Sequence, residues 1–460
     1  MNTLPEDKSG PAAEAPPSPL LFRVFDCERP LEAPARHSLA DVDAVALGRG
    51  ARSFERRIVD GKRRLAIAID DPRVSTSHAR LTQVFGRWTL EDLGSRNGTL
   101  VNGARVDRAL LADGDLIELG RSFFLYRAQV ATPIGEPADL EERATPTISP
   151  PLRRQLALLA TVARSPVPIL IAGESGTGKE VTALSIHALS ERPGPFVALN
   201  CGALPETLIE SELFGSRRGA FSGAVEDRPG LVRAADRGTL FLDEIGDLKP
   251  SSQAAFLRVL ESHEVVPVGG TRPIKVDLRV VAATHCDLDA LMAAGKFRRD
   301  LHARLAGMAL TLPPLRERRE DVGLLIARLL ERHAPERAGT CSFSSKAARA
   351  LLRHDWPLNV RELEKCLATA VVLAGGGRIE LEHLPPSLRA PAAAGASEPP
   401  ASEAPPAALS DEDAQRHRTL IDLLRRHDGN VTEVARSLGR SRMQVHRWLR
   451  RLQIDPKGYR

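Results

Sequence analysis

Aromatic side chains make up only 4% of this 460-residue chain, and its five cysteines are scattered singly. Cys27, Cys201, Cys286, Cys341 and Cys366 form no C-x-x-C pair, which argues against a disulfide frame or a zinc site and for reduced thiols. No apolar run approaches the ~18–20 residues that a membrane helix needs. The stretch MNTLPEDKSGPAAEAPPSP has no apolar core behind a basic start, so no secretory leader is expected and a cytoplasmic location is. Charge is nearly balanced at +5, so its distribution matters more than its total.

Proline, alanine, serine and glutamate are concentrated instead in two stretches, residues 1–19 and 389–411. Such segments carry too little apolar surface to offset their ordering entropy, so they read as a disordered tail and linker. A shorter break at 131–140 divides the remainder, leaving modules at 20–130, 141–388 and 412–460. RLAIAID, ARLTQVF, RWTLEDL and DLIELG in the first are short, alternate apolar with polar residues and end at turn residues, which predicts an all-β fold. The second alternates the strand candidates PILIAG, GTLFLDE and LRVVAAT with helical patterns, which predicts an α/β sheet. The third has helical spacing throughout and is predicted all-α.

GESGTGKE, spanning Gly173, Glu174, Ser175, Gly176, Thr177, Gly178, Lys179 and Glu180, follows a buried-strand candidate and opens a helix. Glycines there let backbone N–H groups converge on phosphates, and the helix N-terminus adds partial positive charge. Lys179 is placed to reach the β- and γ-phosphates of a nucleoside triphosphate. Glu180 stands where the general motif has Ser or Thr, so it is not assigned to metal. Asp243 and Glu244 end the apolar strand GTLFLDE, where ligands of open α/β sheets gather. Asp243 is expected to position Mg²⁺ and Glu244 to polarise the attacking water.

Between these motifs lies GAFSGA: Gly219, Ala220, Phe221, Ser222, Gly223 and Ala224. Here the chain resembles the bacterial enhancer-binding proteins, AAA+ ATPases that activate sigma-54 RNA polymerase. In that family the loop is usually GAFTGA and contacts the sigma factor. Ser222 keeps the hydroxyl of the family's Thr and lacks its methyl. The resemblance further implies that Asn200 restrains Glu244 and that Thr284 is the first sensor of the γ-phosphate. In FRRDLHARL, Arg298 and Arg304 match fingers offered to a neighbouring subunit's nucleotide, although Arg299, His302 and Ala303 depart from the pattern. WPLNVREL places Arg361 as the second sensor, with Leu358 replacing a glycine, and LPPLRERRED lies between. A helical lid and a homo-oligomeric ring, a hexamer, are implied. His285 reads as a loop residue.

Gly48-Arg49, Ser75-Thr76-Ser77-His78, LGSRNGTLVNG and DGDLIELG resemble a forkhead-associated (FHA) domain, a β-sandwich that binds phosphothreonine peptides. The resemblance assigns Arg49, Ser75, Thr76, Arg96 and Asn97 to the peptide, with His78 bracing the loop; arginine suits phosphate through charge-assisted hydrogen bonds. In the third module, Asn430–Glu433 and Ser441–Gln444 are capping-box patterns on either side of Gly439. Val431, Val434, Ala435 and Leu438 form one apolar face, and Val445, Trp448, Leu449 and Leu452 the next, a helix-turn-helix pattern. Arg442, Gln444, His446, Arg447, Arg450 and Arg451 then face DNA, and the module resembles the Fis-type domain ending many sigma-54 activators.

The expected protein is an ATP-driven activator that binds upstream DNA and remodels sigma-54 polymerase. Its gate is a phosphothreonine protein, such as a Ser/Thr kinase. The alternative is a phosphopeptide-responsive DNA-binding regulator that no longer remodels sigma-54. A remodeller of some other target is disfavoured by GAFSGA.

Overall fold

The structure, a computed structural model, describes residues 17–131, 146–203, 205–220, 226–389, 419–420, 423–424, 426–427, 430–438 and 445. It divides into two units, residues 1–392 and 393–460.

The first module is a sandwich of two six-stranded sheets, as its alternating segments predict. In one sheet Ser18–Asp26 pairs with Ala35–Ser38 and Ser122–Val130, and the sheet continues through Leu116–Leu119, Thr99–Val101 and Ala104–Val106. The other runs Arg108–Leu110, Arg87–Asp92, Ala79–Val84, Ala44–Arg49, Lys62–Ile69 and Ser53–Val59. Leu21, Leu47, Ile67, Trp88, Leu90, Ile117 and Phe124 fill the space between them. The strand Ser18–Asp26 carries apolar residues on both faces because both are covered, and its Arg23 and Asp26 are buried as well. Leu21 points into the sandwich, while Leu20, Phe22 and Val24 point out of it.

That outward face packs on the ATPase. Leu20, Phe22, Phe25, Phe123 and Leu125 share one core with Val322, Ile326, Leu330, Phe343 and Leu351 of the helical lid. The close approach depends on Gly323, where a Cβ would stand 1.7 Å from the Val24 carbonyl oxygen. Phe25 and Phe343 meet edge to face at 5.2 Å, and the Phe343 N–H donates to Cys27 O at 2.8 Å. Glu118 of the sandwich, with its side chain 2% exposed, accepts two bonds from Arg349 at 2.5 and 2.7 Å. The expected boundary at 131–140 therefore separates two segments of sequence that share one core.

The ATPase sheet is entirely parallel, in the order Phe196–Asn200, Thr239–Asp243, Arg279–Thr284, Ile169–Ala172 and Met308–Thr311. Both faces are covered, which is why its strands read as continuous apolar runs. The lid contributes helices Val322–His333, Ser345–Arg353 and Asn359–Leu373. In the second unit Val431–Ser437 is helical, and Val434 and Ala435 are buried with Leu420, Leu424 and Val445. The rest of the expected helix-turn-helix, including Arg442, Gln444, His446, Arg447, Arg450 and Arg451, lies outside the described residues.

Candidate functional site

The phosphate loop connects the Ile169–Ala172 strand to the Lys179–Ser190 helix. Gly173, Gly176 and Gly178 have φ of 154°, 78° and 105°, conformations that a side chain would strain. At Gly176 a Cβ would also stand 2.2 Å from Leu358 O of the lid. The loop is gripped by residues far away in sequence. Arg316 donates to the Glu174 carboxylate through both terminal nitrogens, at 2.9 and 2.6 Å. Asn359 Nδ2 donates to Glu174 Oε2 at 3.1 Å and to Ser175 O at 3.0 Å. Arg318, 2% exposed, donates to Thr177 O at 2.8 Å. Arg361 Nη1 reaches Ser175 Oγ at 3.1 Å, and Glu180 is exposed. The hydrogen bonds from Arg316 and then Asn359 hold the Glu174 carboxyl down at about 2.

Asp243 and Glu244 emerge at the C-terminal end of their strand, beside this loop. Lys179 Nζ lies 3.6 Å from Glu244 Oε1 and donates to Gly173 O at 2.9 Å. Burial, and next the charge of Glu244, raise the Asp243 carboxyl above its ordinary range. Burial acts the same way on Glu244, but hydrogen bonding from His285 and the charge of Lys179 outweigh it and hold that carboxyl low. Two adjacent carboxylates are thus driven apart in character by their surroundings. Glu244 also sits at φ +53°, a strained conformation for a residue with a side chain.

His285, read from sequence as a loop residue, bonds Glu244 Oε2 through both its backbone N–H, at 3.1 Å, and its Nδ1. Asn200 Oδ1 instead accepts the Gly202 N–H at 2.9 Å. Thr284 is buried, with its Oγ1 accepting the Cys286 N–H at 3.0 Å, and its carbonyl accepts the Gly173 N–H at 3.1 Å. Arg298 pairs with Asp300 at 2.6 Å, and Arg304 is exposed. Leu358 adopts φ −104°, so the missing glycine brings no strain; Trp356 and Asn359 carry the positive φ of that turn. Of GAFSGA, Gly219 and Ala220 are described, while Phe221, Ser222, Gly223 and Ala224 lie outside the described residues.

The five-residue set of the sandwich gathers at one end. The Arg96 N–H donates to Ser75 Oγ at 3.1 Å, joining the two loops. The Arg49 N–H donates to Ser75 O at 2.9 Å, which brings the third strand end to the same place. Thr76 is exposed in the same loop. His78 is fully buried; its Nδ1 accepts the Ser75 N–H at 3.1 Å and its Nε2 lies 3.3 Å from Gly98 O, so it braces the loops from beneath. Asn97 Nδ2 donates to Arg73 O at 2.6 Å. The guanidiniums of Arg49 and Arg96 form no ion pair with another described residue and face solvent, an arrangement suited to an anionic group.

Comparison with known proteins places the chain's segments in known domain families. The FHA domain family matches residues 46–120, the sigma-54 interaction domain 147–311, and the AAA+ ATPase lid domain 316–400. The acetoin catabolism regulatory protein of Cupriavidus necator is 45% identical over 309 residues, which are 66% of this chain and 46% of that protein. The transcriptional regulatory protein GlrR of Escherichia coli is 42% identical over 319 residues, covering 68% of this chain and 69% of its own length. The crystal structure of NtrX from Brucella abortus in complex with ATP covers 68% of this chain and 70% of its own, at 29% identity and a TM-score of 0.48. This chain spans about half the length of the first relative and about two thirds of the second. With a sigma-54 interaction domain, an AAA+ lid and an FHA domain in one chain, the protein belongs to the sigma-54-dependent family of bacterial transcriptional regulators.

Proposed function

We propose that the protein hydrolyses ATP and uses the energy to remodel sigma-54 RNA polymerase at promoters. The observation that carries this reading is the meeting of a glycine-shaped phosphate loop, Lys179 and the Asp243–Glu244 pair at one sheet edge. Backbone N–H groups of the loop bind the phosphates and Lys179 neutralises the β- and γ-oxygens. Glu244, kept ionised, accepts a proton from the water that attacks the γ-phosphorus. The residues fit a magnesium ion as well: Asp243 would hold it, and it would supply charge to the phosphate oxygens. Thr284 and Arg361 read the state of the γ-phosphate. Arg298 and Arg304 serve a neighbouring subunit in a homo-oligomeric ring of six, where fixed positive charge stabilises the equatorial oxygens.

Ser222 and the rest of the GAFSGA loop transmit this cycle to the sigma factor. Upstream DNA is bound by the C-terminal helix-turn-helix, which raises the local concentration of the ring. Arg49, Ser75, Thr76, Arg96 and Asn97 take a phosphothreonine peptide, whose binding gates the ATPase. The Ser222 and finger-segment departures favour one second reading: a phosphopeptide-responsive DNA-binding regulator that no longer remodels sigma-54. The two separate in a reconstituted sigma-54 promoter assay run beside an ATPase assay. Open complexes that require ATP and the Gly219–Ala224 loop support the first reading. ATP turnover with no open complexes would establish the second.

A further inference from the structure

The segment Leu312–Asp321 lies between the sandwich and the phosphate loop and is bonded to both. On one side Arg316 and Arg318 hold Glu174 and Thr177, as described. On the other side Arg127, from the sandwich strand Ser122–Val130, donates to Glu320 Oε2 at 3.0 Å and to Glu317 O at 3.2 Å. Asp113 Oδ1 accepts from Arg127 Nε at 3.2 Å and so fixes the direction of the guanidinium. The Glu320 side chain is 4% exposed and next to the fully buried Asp321. Asp321 has its own partners, since it accepts from Thr147 Oγ1 and from the Ile148 N–H, each at 2.7 Å. Leu315 N–H donates at 2.7 Å to Asn359 Oδ1, the same side chain that bonds Glu174 and Ser175.

We infer that the sandwich is a working part of the nucleotide site: Arg127 is a positioning residue that holds the Leu315–Asp321 turns, and through them the phosphate loop, in the conformation that receives ATP. This rests on the ATP reading above and names a control of that same site. Without Arg127, the buried Glu320 carboxylate keeps the nearby Arg318 as counter-charge but loses its hydrogen-bonded partner, and the turn must move to hydrate it. Such movement would carry Arg316 and Arg318 away from the loop. Asp243, Glu244 and His285 stand on other strands, so the loss should fall on nucleotide affinity and leave the chemical step intact.

The test uses the full-length protein and a fluorescent N-methylanthraniloyl ATP. Arg127→Ala and Glu320→Gln should each weaken nucleotide binding and raise KM by roughly fivefold or more, with kcat within about twofold. In the double variant the two effects should be far from multiplicative, because both remove one contact. Arg127→Lys should recover part of the loss, and Arg108→Ala, an exposed change on the far sheet, should behave as the parent. Amide exchange without nucleotide gives a readout separate from ATP: residues 173–180 and 315–321 should lose protection in Arg127→Ala. Parent-like affinity and protection in both single variants would overturn the inference while leaving the ATP reading in place. A parent that fails to bind nucleotide, yet shows the exchange change on losing Arg127, would confirm the clasp and remove the ATP reading instead.

Discussion

The two loop clusters at which this chain is expected to meet phosphate are held in opposite ways. The Gly173–Glu180 loop is gripped from above by Arg316, Arg318, Asn359 and Arg361, so its polar groups are already bonded to protein. The loops carrying Arg49 and Arg96 are braced from below by His78 and tied to each other through Ser75, while their guanidiniums face solvent. On the proposed function, the gripped site would open and close with the lid it is tied to, whereas a pre-shaped, open site would lower the ordering cost of capturing an extended peptide.

The largest way to sharpen that contrast is Glu244→Gln. It keeps the shape of the gripped site and removes the proton acceptor, so kcat should fall by about 100-fold or more while nucleotide still binds. Normal turnover in single-turnover assays would remove Glu244 from the mechanism. Next comes Gly323→Ala, which pushes a methyl into the Val24 carbonyl and should destabilise the first unit by about 1–3 kcal/mol, read by denaturant unfolding. An unchanged midpoint would mean that the sandwich and lid are separable.

Arg49→Ala addresses the open site. It should weaken a phosphothreonine peptide by roughly tenfold, measured by calorimetry, and shift unfolding by no more than about 0.5 kcal/mol, because the residue is exposed. An equal affinity for the unphosphorylated peptide would disprove phosphate recognition there. The smallest effect concerns the sandwich alone. His37 is 6% exposed and burial, followed by Arg23, lowers its pKa from 6.5 to about 4. Between those values the unfolded chain binds the extra proton, so stability falls as pH drops below 6.5. About 1 kcal/mol should be lost by pH 5.5, and His37→Phe should remove that slope in urea titrations at a series of pH values.

Much of this fold is legible in the sequence, for physical reasons. PILIAG, GTLFLDE and LRVVAAT read as strands because a parallel sheet covered on both faces buries most of their side chains and so favours apolar runs. RLAIAID and ARLTQVF alternate because one face of their sheet meets water. What periodicity does not reveal is who holds whom across the chain. Glu174 and Arg316 are 142 residues apart, and nothing local to either announces the pair. His285 resembles any loop histidine until Glu244 is placed beside it. That Leu20, Phe22 and Val24 serve a second module appears only when the lid is in place.

That shared core has a consequence for how the chain is made. A ribosome finishes residue 130 long before the lid exists, and at about 5–20 residues per second the lid helix beginning at Val322 follows roughly 10–40 s later. For that interval Phe22, Phe123 and Leu125 have a hydrophobic face and no counterpart. The newborn sandwich should therefore bind cellular chaperones: nascent chains stalled near residue 200 should be captured by them, while chains released after the lid should not. The order of synthesis thus adds its own demand on a protein whose first module is completed by its second.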